Sequence, residues 1–190
     1  MFPELDLVVR TLASGQVLLY PTDTIWGIGC DCTDERAVQK IYTIKRRHES
    51  KSLILLVDSL EMLGQYVPNM PGKLLKIHTH FTRPLTMIYD NTQHLPDFLK
   101  AEDGSLAIRI VQDPFCQAVI AAFGKPIVST SANRSGSESP KTFQDIDPEL
   151  KQEMDYIVLH RQRETTENQP SVIARYNNDT DELEVLRGAL

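Results

Sequence analysis

An α/β fold, with an open, twisted, mixed β-sheet and surrounding helices, is the class this sequence predicts. Two observations carry it: helical and strand-like segments alternate through most of the chain, and its end is richer in strands. A third bounds it. At 190 residues, against roughly 100–200 per domain, the length predicts one domain over residues 1–190.

The elements follow in order. "LDLVVRTLASG" has apolar residues at 5, 7, 8, 9 and 12, the spacing of an amphipathic helix, and Gly15 ends it. "QVLLYP" is a short apolar strand stopped by Pro21. "DERAVQKIYTIK" sets Ala37, Val38, Ile41 and Ile44 near one helical face, with acids in the first turn and Lys45 to Arg47 at the end, as the helix dipole prefers. "SLILLV", "PLTMIY" and "SLAIRI" read as strands. Asp113 and Pro114 are an N-cap and first helical residue for "PFCQAVIAAFG", which Gly124 closes. "KPIVSTS" and "MDYIVLH" are further strands, and "SVIARY" with "LEVLRG" form a hairpin across "NNDTDE". The expected total is about eight strands with four or five helices. "RQRETTENQPS", 161–171, is polar throughout and reads as a mobile loop.

Composition narrows the function classes. Apolar residues at 41% and charged residues at 24% argue against disorder and fibrous repeats. A net charge of −6 gives no general affinity for phosphate backbones, although a local basic patch can sit on an acidic body. No apolar stretch approaches the roughly 20 residues of a membrane span, and "MFPELDLVVR" lacks the pattern of a signal peptide. The expectation is a cytoplasmic protein without a membrane partner. Cys30, Cys32 and Cys116 are odd in number and are expected as free thiols. His78 and His80, two apart, do not share a helical face for metal binding and are expected at the surface.

Four segments could carry chemistry. In "YPTDTIWGIGCD" a strand runs into hydroxyl residues and two glycines, which suits either a structural turn or a ligand crevice at a strand end. "IKRRHESKS" places Lys45, Arg46, Arg47 and Lys51 within seven positions, either a solvated helix end or a polyphosphate site. In "SLAIRI", Leu106, Ile108 and Ile110 alternate onto one face and leave Ala107 and Arg109 on the other, an exposed sheet face or the floor of an anion pocket. "STSANRSG" after "PIVS" is a turn or a small polar surface at a strand end. Neither G-x-x-x-x-G-K-[ST] nor G-x-G-x-x-G occurs, so a phosphate site here is neither a P-loop nor a Rossmann turn.

These four segments, with K-x-R at Lys45 and Arg47, Lys51, Arg109 and S-x-N at Ser131 and Asn133, resemble in order and spacing the YrdC-type threonylcarbamoyl-adenylate synthase family, in its short form. The likeness runs from about residue 8 to Arg187. It implies a mixed sheet around a large concave cavity. It also implies a nucleotidyltransferase that joins L-threonine, bicarbonate and ATP, with Mg²⁺, into threonylcarbamoyl-AMP and pyrophosphate. A separate transferase complex then carries the threonylcarbamoyl group to tRNA.

Carried over by position, Arg47, Lys51, Ser105, Ser131, Asn133, Ser139 and Arg187 hold ATP, with Lys45 completing K-x-R. Thr24, Arg109, Ser129 and Ser171 hold threonine. Lys45, Arg47, Ser131 and Asn133 form the implied catalytic set. On this reading "STSANRSG" is nucleotide-binding surface. The chain departs from the pattern at His48, where proline is usual, at Arg83, where glycine is usual, and at Val172, where threonine is common. The competing expectations are a same-fold paralogue without synthase activity, a weak double-stranded RNA-binding module, and a carbamoyl-transfer domain like that of hydrogenase maturation proteins.

Overall fold

The computed structural model describes residues 2–48, 53–177 and 180–189. Lys51 therefore lies outside the described residues. The first elements are α1 (Leu5–Ala13), β1 (Leu18–Tyr20), β2 (Gly27–Asp31), α2 (Glu35–Lys45), β3 (Ile54–Val57), α3 (Leu60–Tyr66), α4 (Gly72–His80) and β4 (Leu85–Tyr89). They are followed by β5 (Leu106–Ile110), α5 (Pro114–Phe123), β6 (Ile127–Ser131), α6 (Pro148–Gln152), β7 (Tyr156–Ile157), β8 (Val172–Asn177) and β9 (Glu182–Arg187).

The nine strands form one mixed sheet in the order β7-β1-β2-β6-β3-β5-β4-β8-β9. The pairs β1/β7, β3/β5 and β4/β8 are parallel, and the other neighbours are antiparallel. The α/β class expected from the sequence is the one observed.

Helix ends follow their local chemistry. Asp34 Oδ1 accepts from the backbone N–H of Arg36 and Ala37 at the start of α2, and Asp113 Oδ1 accepts from that of Cys116 at the start of α5. Gly124 ends α5 at φ 78°, where a side chain would be strained. Arg46 takes the same left-handed turn at φ 49° after α2 and redirects the chain at Arg47.

Register decides what the sheet presents on each side, because residues directly opposite in a ladder point the same way. Cys30, Val128, Leu55, Ile108, Met87 and Ala174 are linked by pairing across five neighbouring ladders, and none is more than 1% exposed. This apolar row belongs to the same core as Val8 and Leu12 of α1, Leu63 of α3, and Phe115 and Ile120 of α5. The opposite row runs Gly29, Ser129, Ile54, Ala107, Ile88, with Thr86 beside Arg109 one step along. It joins glycine, alanine, hydroxyl and cationic side chains with the two isoleucines Ile54 and Ile88.

Several expectations need correction. β2 was read only as turn or crevice, yet Gly27 and Gly29 lie within a five-residue strand buried along its length. The expected four or five helices included one or two with no segment assigned, and α3, α4 and α6 fall where none was placed. "MDYIVLH" supplies only two residues of strand, β7. His78 is half-buried, with Nε2 at 2.6 Å from the Tyr89 hydroxyl, and burial lowers its pKa; only His80 is exposed as expected. The three cysteines are free and buried, and burial pushes the Cys32 thiol up to about 12. No helix among the described residues is long and apolar enough to cross a membrane.

Candidate functional site

A cavity of about 240 Å³ opens over this second face of the sheet. Ile54, Thr86, Ala107, Arg109 and Ser129 floor it, Thr22 and residues 24–27 form one wall, and Pro170 with Ser171 form another. This placement puts part of "YPTDTIWGIGCD" in a cavity wall and Arg109 in the cavity floor rather than on an exposed sheet face.

Arg109 is 3% exposed. One terminal nitrogen donates to Thr24 Oγ1 at 3.1 Å, and the other lies 3.2 Å from Asp23 Oδ1. Its Nε is buried without a hydrogen-bond partner. Asp23 is held in turn by Oδ2, which accepts from the backbone N–H of Gln112 at 3.1 Å. The guanidinium is thus fixed from behind with donor capacity left over, the condition for gripping a carboxylate.

Proton counting fixes the polarity of Thr24. The hydroxyl of Thr22 gives its single proton to the Ile25 carbonyl at 2.8 Å, so it can only accept from Thr24 Oγ1, 2.9 Å away. The Thr24 hydroxyl therefore donates to Thr22, accepts from Arg109, and keeps one lone pair. What it offers the cavity is an acceptor, suited to an amine or ammonium.

Across the cavity, Arg187 donates through Nε and a terminal nitrogen to the Ser171 carbonyl at 3.1 and 3.0 Å. The Ser171 hydroxyl lies 2.8 Å from Thr86 Oγ1. Burial lowers the Arg187 pKa, and the nearby charge of Arg109 lowers it further. Arg47 also lines the cavity and is lowered by burial. Three guanidiniums thus share the cavity, Asp23 offsets Arg109 from behind, and among the described lining residues there is no carboxylate, which leaves a net cationic lining. Such a field favours a multiply charged anion.

Glycine makes room for this floor. A Cβ at Gly29 would stand 2.7 Å from Tyr20 Cε1 and 2.7 Å from the Val128 carbonyl oxygen. With none there, Tyr20 lies close over the strand and its hydroxyl donates to Ser129 Oγ at 2.7 Å. Burial raises the Tyr20 phenol pKa strongly, which keeps it a donor. Ser129 is left with its own proton for the cavity.

Of the residues singled out in the sequence, Thr24, Arg47, Arg109, Ser129, Ser131, Ser139, Ser171 and Arg187 come together around this cavity. Three others stand outside its lining. Lys45 is 1% exposed and its Nζ donates to the carbonyls of Ser131 and Asn133 at 2.5 and 2.7 Å. Its own carbonyl accepts from the Ser135 N–H at 2.8 Å, so α2 and the "STSANRSG" loop are clipped together. Burial first, then the charges of Arg47 and Arg134, lower the Lys45 pKa to about 7. Asn133 spends its amide protons on the carbonyls of Arg134 and Ser137 at 3.0 and 2.6 Å, which leaves a buried Oδ1 with no partner. Ser105 donates to Asp103 Oδ1 at 2.6 Å and faces a cluster in which Arg175 joins Asp103 and Asp90.

Arg83 also stands apart from the cavity and donates to the Ala189 carbonyl at 2.7 Å. Thr22, Trp26 and Thr86 line the cavity without having been assigned a role. Thr22 and Thr86 could have been found as the hydroxyls nearest strand ends in the quoted motifs; Trp26 had no such signal.

The Sua5/YciO/YrdC family model, described as telomere recombination, matches residues 10–189. The chain is similar to a protein named threonylcarbamoyl-AMP synthase from Xanthomonas euvesicatoria pv. vesicatoria, with 35% identity over 82% of this chain and 84% of that one. E. coli YciO superposes with a TM-score of 0.81 at 26% identity, covering 97% of this chain and 90% of that one. A doubly substituted Sua5 from P. abyssi gives a TM-score of 0.83 at 22% identity over 97% of this chain, which spans 53% of the Sua5 chain.

Proposed function

The chain belongs to the Sua5/YciO/YrdC family, and from that premise we propose that it is a threonylcarbamoyl-AMP synthase, a nucleotidyltransferase that uses L-threonine, bicarbonate and ATP. The observation that carries this reading is the gathering of Arg47, Arg109 and Arg187 over hydroxyl-rich floor in a cavity whose described lining has no carboxylate.

The chemistry needs no side-chain nucleophile. The threonine amine adds to bicarbonate with loss of water, giving a carbamate; a carbamate oxygen then attacks the α-phosphorus of ATP, and pyrophosphate leaves. All the reactants except the amine carry negative charge, so the site must offset their repulsion and hold their geometry. Arg109 receives the threonine carboxylate on its remaining donors, and the spare lone pair of Thr24 accepts a hydrogen bond from the amine. These two contacts orient the nitrogen toward bicarbonate. Arg47 and Arg187 meet the phosphates, aided by the Ser131 and Ser139 hydroxyls. Lys45 and Asn133 hold the loop that presents Ser131, and the open Oδ1 of Asn133 is available to a nucleotide donor.

Magnesium ordinarily binds through one or two carboxylates together with substrate phosphates. The described lining offers hydroxyls and carbonyls but no carboxylate, which does not fit a resident ion. Mg²⁺ is accordingly part of the substrate, complexed to ATP, and no step is routed through a protein-held metal. The product passes to a separate threonylcarbamoyl-transferase complex acting on tRNA.

The test is release of pyrophosphate by the purified protein with ATP, bicarbonate and Mg²⁺, with and without L-threonine. Release that requires threonine is the expected result. Release indifferent to the amino acid overturns the substrate assignment, and nucleotide binding without release places the chain with paralogues that lack the activity.

A further inference from the structure

We propose that Arg161 is a positioning residue for the amino-acid half of the cavity, which fixes Thr22 and through it the acceptor presented by Thr24; the inference rests on the synthase reading above. Arg161 begins the polar segment that leads to Pro170 and Ser171 and has no counterpart among the motif residues. Its backbone takes φ 66°, a left-handed conformation uncommon for a side-chain-bearing residue. The side chain is 19% exposed.

One guanidinium nitrogen of Arg161 donates to the Thr22 carbonyl at 3.0 Å and to Asp113 Oδ2 at 2.8 Å, and Nε donates to Glu164 at 2.6 Å. Asp113 cannot drift, because its other oxygen caps α5. The preceding backbone is held as well: Glu4 accepts from the N–H groups of Leu159 and His160 at 2.9 and 2.7 Å. Arg161 is therefore a braced arm whose far end holds one carbonyl in the cavity wall.

That carbonyl matters because the hydroxyl of the same residue organises the wall. Thr22 Oγ1 accepts from the Thr24 N–H at 3.0 Å and sets the direction of the Thr24 hydroxyl proton, as counted above. Release of the Thr22 carbonyl lets the 22–25 turn rotate, and the Thr24 lone pair then no longer faces the amine. The nucleotide half is fastened independently, by Lys45 on the Ser131 and Asn133 carbonyls. The consequence is selective: threonine recognition weakens and ATP recognition does not.

Steady-state pyrophosphate release should be measured against threonine at saturating ATP, and against ATP at saturating threonine, for the unsubstituted protein, Arg161→Ala and Arg161→Lys. Loss of the bridging donor in Arg161→Ala is expected to raise the threonine KM about tenfold and to leave the ATP KM within about twofold. Arg161→Lys, which keeps a cation able to reach one of the two acceptors, is expected to recover part of the loss. Should Arg161→Ala fail to fold, the same split at a few-fold in Arg161→Lys supports the proposal. Equal rises in both KM values, or an unchanged threonine KM, overturn it while the synthase reading stands. Absence of threonine-dependent release from the unsubstituted protein overturns that reading, and the inference falls with it.

Discussion

Replacing Lys45 with methionine tests whether the buried ammonium is an electrostatic cost that the fold carries to hold its loop. Nζ has two carbonyl partners and sits near Arg47 and Arg134, and its pKa falls from 10.5 to about 7. The sign follows from proton counts. Between pH 7 and 10.5 the unfolded chain holds a proton on Lys45 that the folded chain gives up, so stability rises with pH across that window; below pH 7 both forms are protonated and the full cost of the buried charge applies.

One pH unit well inside the window is worth about 1.4 kcal/mol, so the gain from pH 7 to pH 9 is about 2 kcal/mol. For a chain of this size that shifts Tm by roughly 4–8 °C. A neutral amine still has two N–H donors, one for each carbonyl, so the clip outlasts deprotonation. Lys45→Met has no such titration and takes the side-chain donor from the Asn133 carbonyl, while the Ser131 carbonyl keeps the Asn133 N–H at 2.9 Å; the loss is about 1–3 kcal/mol. Thermal melts of both proteins at pH 7, 8 and 9 read the outcome: the unsubstituted protein should gain on the variant by those 4–8 °C as pH rises. A difference that stays constant, or that widens toward acid, refutes the argument.

Two further perturbations address the floor of the cavity. Arg109→Met removes the proposed carboxylate grip and strands Asp23, whose side chain is 6% exposed; threonine-dependent kcat/KM should fall at least about 100-fold, with a stability loss of about 3 kcal/mol measured by urea unfolding. Gly29→Ala drives a methyl group against Tyr20 and the Val128 carbonyl, both at 2.7 Å; a loss of about 1–3 kcal/mol is expected in the same unfolding measurement, and a neutral result would show that Tyr20 moves aside freely.

Arg109 shows what sequence can disclose. Alternation alone put it with Ala107 on the face away from Leu106 and Ile108, and the register confirms the separation. The other motif residues that line the cavity were legible through the family resemblance, since short polar side chains at the ends of apolar runs suit a turn as well as a crevice. β2 was obscured because its glycines, which serve a close approach by Tyr20, weaken the local signal for a strand. In α3 and α4 only Met62, Leu63 and Leu74 are buried, too few positions to establish a helical period. Lys45 and Arg161 depend on partners 86 and 139 positions away in the chain. No local pattern encodes contacts of that separation, so a motif could mark Lys45 as notable while leaving its clipping role unread, and Arg161 passed as one more polar loop residue.

The division of the sheet into an apolar row and a chemical row has a consequence for how this protein tolerates change. Along β4, β5 and β6, neighbouring codons answer to different demands: substitutions at Met87, Ile108 or Val128 should lower the yield of folded protein, and those at Thr86, Arg109 or Ser129 should first impair turnover. A saturation survey scored separately for abundance and for catalysis should show the two signals beating out of phase, with a repeat of two residues.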